Sequence, residues 1–245
     1  MKKLATLFSL IAFFSIQFSV QSCVMERGSD DKGNHTEEMS FESFGGIKVS
    51  RLFKVEVVIG DKFAVTTSMP ERYADQLSVE VDSENNLVIT MDGSIDKKNR
   101  DVFKAKVTCP SFERIIAGDL TKVTVISEFS AQNMELSAHS LSDIIFREKL
   151  NVENHCIIKA ESMSKINVLG TASSLEVEAR EMADVNCRKL NVKTVTAKAN
   201  SMSGISVNAD EKFELEASDM SKIKYSGDGE VIRKESAGMS SISKR

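Results

Sequence analysis

"ESMSKINV" at residues 161–168 returns as "NSMSGISV" at 200–207 and, altered, as "SDMSKIKY" at 218–225. Aligned on its central residue, the phrase brings Leu120, Leu141, Met163, Met182, Met202, Met220 and Met239 into register, at spacings of 21, 22, 19, 20, 18 and 19. Three residues earlier stand Ala117, Ala138, Ala160, Ala179, Ala199, Ala217 and Ser236. Three residues later stand Val123, Ile144, Ile166, Val185, Ile205, Ile223 and Ile242. One apolar pattern recurring about every 20 residues is the mark of a solenoid, whose stacked neighbours share a continuous core.

The pattern also specifies the kind of coil. In "LEVEAREMADVNC" (175–187), Leu175, Val177 and Ala179 alternate with Glu176 and Glu178, and in "FELEASDMSKIKY" (213–225) Phe213, Leu215 and Ala217 do the same. Alternation of period two means strands. Proline occurs only at positions 70 and 110, outside the repeats. The expected fold is therefore all-β: a parallel β-solenoid, or β-helix, over residues 111–245. Seven coils at roughly 4.8 Å each make a rod about 30 Å long.

Within each phrase, a small alanine marks where the chain turns inward and two polar residues make the bend. The Met or Leu is expected to fill the corner, with unbranched Met adapting to uneven neighbours. The next residue is Thr121, Ser142, Ser164, Ala183, Ser203, Ser221 or Ser240. Small hydroxyls at coil spacing are suited to bonding along the rod, and nothing resembling a nucleophile elbow surrounds them. Two after the centre, Lys122, Asp143, Lys165, Asp184, Gly204, Lys222 and Ser241 place opposite charges on several adjacent coils. Asp143 and Asp184 thus read as ladder members, not as catalytic carboxylates or calcium ligands.

Residues 41–110 are strand-like as well, with "SENN" (83–86) reading as a hairpin turn. "GGIKVSRLFKVEVVIG" (45–60) fits the repeat, with Val49 in the alanine place, Leu52 at the centre and Val55 and Val57 following. This region is expected to form a first coil with a β-hairpin elaboration that caps the apolar end. At the other end, Lys244 and Arg245 of "SISKR" are placed to protect an edge.

The first 22 residues, "MKKLATLFSLIAFFSIQFSVQS", have a basic start and a short apolar run, the pattern of a cleaved export signal. "VQSC" (20–23) resembles a lipobox, the cleavage motif of bacterial lipoproteins, with Cys23 as lipid acceptor. Residues 23–40 are expected to be a lipidated tether. Removing Lys2 and Lys3 with the leader leaves 30 basic against 36 acidic residues, a formal charge of −6. No basic patch points to nucleic acid. Cys109, Cys156 and Cys187 lie in strand-like runs without metal spacing and read as buried small hydrophobes. A Cys156–Cys187 bridge would have to join different register positions.

These features together resemble the putative auto-transporter adhesin head GIN domain family of Bacteroides-group envelope proteins. "FESFGGIKVSRLFKVEVVIGDKFAVTTSM" (41–69) with "LVITM" (87–91) is similar to the family's opening. "VTCPSFERIIAGDLTKVTV" (107–125) is similar to its transition into the repeats, and A-x-x-[ML]-[ST]-x-[IV] to its recurring core. The resemblance implies a β-solenoid at the cell envelope and brings no catalytic residues, cofactor or metal. The expected role is structural, adhesive or partner-binding, on an outer-membrane lipoprotein facing the periplasm or the surface. Its partners are the membrane through the lipid, and a protein or glycan on the faces. A carrier of small apolar or lipid molecules is the alternative. A polysaccharide-active enzyme is a weaker one, because aromatics after residue 110 are few and His35, His139 and His155 form no triad or metal spacing.

Overall fold

The computed structural model describes residues 28–29, 34–95 and 103–245. Within them the repeats form the expected parallel stack. Lys165–Ala179 pairs with Asp184–Ala199, and that strand pairs with Gly204–Ala217. Breaks in the pairing divide these long strands: Lys165–Ala179 meets Asp184–Ala199 over 165–167, 169–172 and 174–179, with a register shift between Asn167 and Leu169. The inner positions stack like on like. Ile144, Ile166, Val185, Ile205 and Ile223 form one buried column, and Ala138, Ala160, Ala179, Ala199 and Ala217 another. The interior is thus a mainly aliphatic core, stabilised by roughly 25 cal/mol per Å² of apolar surface removed from water.

At the second bend of its coil, Gly170 has φ +132° and lies against the Leu150 backbone, so a Cβ there would collide with the Leu150 carbonyl oxygen. Only glycine suits that position.

Each coil is closed by a tight turn with two consecutive left-handed residues. Ser162 and Met163 have φ 53° and 61°, Glu181 and Met182 φ 53° and 63°, and the other centres follow suit. Positive φ at both central residues is the sign pattern of a type I′ turn. The Ser164 amide closes it onto the Glu161 carbonyl at 3.2 Å, as the Ser221 amide does onto Ser218. The central Met or Leu therefore points outward, contrary to the expectation that it fills the corner. Leu120, Leu141, Met163, Met182, Met202 and Met220 are 46–55% exposed. Leu and Met, unbranched at Cβ, suit a left-handed position that β-branched residues avoid.

Inside each turn sits the hydroxyl residue instead. Ser142, Ser164, Ser203 and Ser221 are buried, and each donates to the alanine carbonyl of the preceding coil. The bonds are Ser142 to Ala117 at 2.7 Å, Ser164 to Ala138 at 2.8 Å, Ser203 to Ala179 at 2.7 Å and Ser221 to Ala199 at 2.8 Å. The hydroxyls bond along the rod as expected.

The N-terminal region is the cap that was expected. Gly46–Val49 and Phe53–Ile59 stack in register on Arg114–Ala117 and Lys122–Val125, with Val49 opposite Ala117 and Val55 opposite Val123. Asn86–Met91 and Phe103–Cys109 add a further layer, and "SENN" turns an antiparallel hairpin onto Leu77–Val81. Phe53, Phe103 and Tyr73 meet at centroid distances of 5.3–5.5 Å and fill the cap.

Strand pairing reaches into residues 23–40, expected to be tether: Gly28–Ser29 pairs antiparallel with His35–Thr36. Asn34–Phe41 is a strand, antiparallel to Phe63–Pro70, which itself runs antiparallel to Phe103–Cys109. Backbone bonding holds this polar segment, and Met39 and Phe41 pack against the core. Cys23 lies outside the described residues.

The serine ladder makes a paired test. Ser164→Ala is expected to lose about 1 kcal/mol of unfolding free energy. Ala183, buried in the serine position, leaves the Ala160 carbonyl with only the Arg180 amide. Ala183→Ser is expected to gain about 0.5–1 kcal/mol. Urea unfolding of the two variants checks both signs.

Candidate interaction surfaces

The outward Leu/Met residues form one continuous line along the rod. Each is held by its own backbone: the Met163 amide donates to Glu181, Met182 to Ser201 and Met202 to Asp219, all at 2.8–2.9 Å. The line therefore advances one strand spacing per coil, about 4.8 Å. An ordered, exposed apolar stripe of this kind makes the turns the candidate contact surface of the rod.

Beside the stripe runs the charged ladder. Lys122 faces Asp143, Asp143 faces Lys165 and Lys165 faces Asp184 in the paired strands. Asp143 and Asp184 are register members, as read from the sequence. The ladder also has a like-charged start, because Lys104, Lys54 and Lys122 are neighbours across three strands.

A second feature lies where the cap meets the coils. A half-open recess of about 410 Å³ is lined by Gly45, Asn86, Arg114, Glu135 and His155, among others. The Arg114 Nε donates to Glu135 at 3.0 Å and its Nη1 reaches Asn86 Oδ1 at 3.4 Å. The Asn86 backbone N–H and side-chain amide in turn hold the Asp82 carboxyl below the usual carboxylate range. The recess mixes these polar groups with Met134 and Ile157, and Arg114 within it is already paired. Nothing in the spacing of the sequence marked it, because its parts come from four separate strands and a turn.

The three histidines are far apart in role. His35 sits in the cap strand, 3.3 Å from Glu71 and 3.7 Å from Glu37, and not in a solvated tether. His139 lies over Gly118 and touches Ser140 at 3.2 Å. The His155 Nδ1 meets the Ser174 hydroxyl at 2.7 Å on an outer face.

Cys109, Cys156 and Cys187 are free and buried, as small core residues. Burial pushes the Cys109 and Cys156 thiols up to about 12. Burial, helped by the neighbouring Cys156, pushes Cys187 well above its usual value. Phe146, Phe213 and Tyr225 face inward and are buried, so no aromatic platform lies at these positions.

Residues 43–229 match the family described as putative auto-transporter adhesin, head GIN domain. The chain belongs to this family. The fold of this GIN-domain chain is shared by solved structures of low identity. A putative adhesin from Bacteroides fragilis NCTC 9343 is 17% identical with a TM-score of 0.80, over 87% of this chain and 98% of that one. A putative adhesin from Parabacteroides merdae ATCC 43184 is 12% identical at TM-score 0.66, over 88% and 97%. A putative lipid binding protein from Parabacteroides distasonis ATCC 8503 is 16% identical at TM-score 0.66, over 88% and 98%. No curated protein matches the chain. Among the described residues, no helix is long and apolar enough to cross a membrane.

The buried thiols carry a test. Their folded pKa values lie above the unfolded value, so their contribution to stability is complete below about pH 8.5 and is lost as pH rises toward 12. In a Cys23→Ala chain at pH 8, a maleimide is expected to label none of the three until denaturant is added. Labelling of the folded chain at the unfolded rate would contradict this burial.

Proposed function

We propose that this GIN-domain protein is a lipid-anchored rod of the cell envelope that acts by binding through its outer surface. The observation that carries this reading is the exposed Leu/Met stripe, repeated at every turn from Leu120 to Met239. Keeping large apolar side chains in water at one site per coil has no folding benefit, since the turn is closed by backbone and serine. Contact with a partner, protein or glycan, would give them one. The family description as adhesins supports the same reading.

Cys23 of the lipobox-like "VQSC" is the anchor in this proposal, and the tether is the short segment that leads from it to Gly28–Ser29, which pairs with His35–Thr36 of the cap strand. The rod then stands on an outer-membrane lipid, and the stripe lies along its length. The carrier alternative requires an apolar cavity between cap and coils. The recess there is half-open and mixes Met134 and Ile157 with charged and amide side chains, so it is not an enclosed apolar cavity.

Two outcomes are expected. Cys23→Ala should abolish incorporation of labelled fatty acid and release the protein from the membrane fraction, whereas continued incorporation would refute the anchor. Beads coated with the rod should retain envelope fragments, and a Met182→Asp, Met202→Asp coat about tenfold fewer. Equal retention by both coats would remove the stripe as the contact surface.

A further inference from the structure

The stripe changes chemistry along the rod. Its first two full turns carry Leu120 and Leu141, and the next five carry Met163, Met182, Met202, Met220 and Met239. The turn accepts either residue, with φ near 63° at both Leu141 and Met182. Backbone geometry therefore does not require methionine, and neither does core packing, because these side chains leave the core. What methionine adds over leucine is a thioether sulfur, placed outside the protein and repeated on five successive coils.

We propose that this methionine run is a sulfoxidation site, at which a two-electron oxidant such as hydrogen peroxide converts an apolar stripe into a polar one without unfolding the rod. The sulfur lone pair attacks one peroxide oxygen and the O–O bond breaks. The departing hydroxide takes up the remaining proton and leaves as water. Each sulfur gains one oxygen and loses two electrons, which reduce the peroxide.

Exposure selects these five. Met163, Met182, Met202 and Met220 are 46–53% exposed and Met239 is 88% exposed. Met69, Met91 and Met134 are 1% exposed, so an oxidant reaches them only after local opening of the fold. The chain thus holds its own buried controls. A sulfoxide at the corner leaves the turn's hydrogen bonds in place, because none of them involves the side chain. The Met182 amide donates to Ser201, the Ala183 amide to Arg180 and the Ser203 hydroxyl to Ala179. A sulfoxide is polar, so the same stripe would lose its apolar character over five coils and keep it at Leu120 and Leu141. The inference concerns modification of the stripe itself and stands whether or not the stripe contacts a partner.

The test uses the unlipidated Cys23→Ala chain, treated with hydrogen peroxide and followed by peptide mass mapping. The five corner methionines are expected to gain oxygen at least about tenfold faster than Met69, Met91 and Met134. Far-ultraviolet circular dichroism and the unfolding midpoint should stay unchanged, while retention on a hydrophobic-interaction column falls. A second chain with all five corners changed to Leu has precedent in Leu120 and Leu141, and should keep its retention after the same treatment. Equal oxidation of corner and buried methionines would overturn the proposal. So would loss of the fold on corner oxidation, or an equal fall in retention for the five-leucine chain.

Discussion

The structure depends on a chain reversal made by two consecutive left-handed residues. For an L-residue other than glycine this conformation costs roughly 1–2 kcal/mol, and the rod repeats it at every coil. The compensation comes from the stack. Each strained central residue donates its amide to the next coil, as Met163 does to Glu181. The serine beside it reaches back to the previous one, as Ser164 does to Ala138. A single coil would bear the cost of the turn with no neighbour to bond. The turn therefore makes the fold a cooperative one-dimensional array.

An array of this kind has two ends to manage. At the first, antiparallel strands and the Phe53–Phe103–Tyr73 cluster close the core, and the Asn34–Phe41 strand lies outside them. At the other, the Glu230–Ser236 strand is exposed along almost its whole length, and Lys234 stands opposite Leu215, an inward position in the coil before. Its ammonium lies 5.8 Å from the Tyr225 ring centroid, so a cation and its stem cover the last aromatic of the core. An inward-pointing charge on an outer strand discourages further strands from pairing. Lys244 takes the same kind of place on the other outer strand, Ser241–Lys244, where it stands opposite the inward Tyr225, so both lysines guard the edge.

Much of this was legible in the sequence because the stack repeats side chains in register. The alanine column, the aliphatic column three residues after the centre, the charged ladder and the first coil through Val49 and Leu52 all stand where the period put them. The central residue departs from the corner-filling expectation because parity, not hydrophobicity, sets its direction. Counting from the centre, the inward positions are odd: Ala179 and Val177 before Met182, Ala183 and Val185 after it. The centre is even, so alternation itself sends the methionine out and the small hydroxyl in. The Asn34–Phe41 strand was hidden for another reason. Its pairing is made by backbone, which a polar sequence supports as well as an apolar one. The Arg114–Glu135–Asn86 recess joins residues 21 and 28 positions apart, a relation no local motif records.

The central claim is that each corner combines an exposed side chain with a backbone amide bonded to the next coil. Solution NMR reads both at the same residue. For Met163, Met182, Met202 and Met220, a soluble paramagnetic agent should broaden the methyl signals strongly. The amides of the same residues should resist hydrogen exchange as well as neighbouring strand amides do. Shielded methyls would mean the side chains fill the corner from within. Freely exchanging amides would mean the coils are not joined at their turns, and either result would contradict the account.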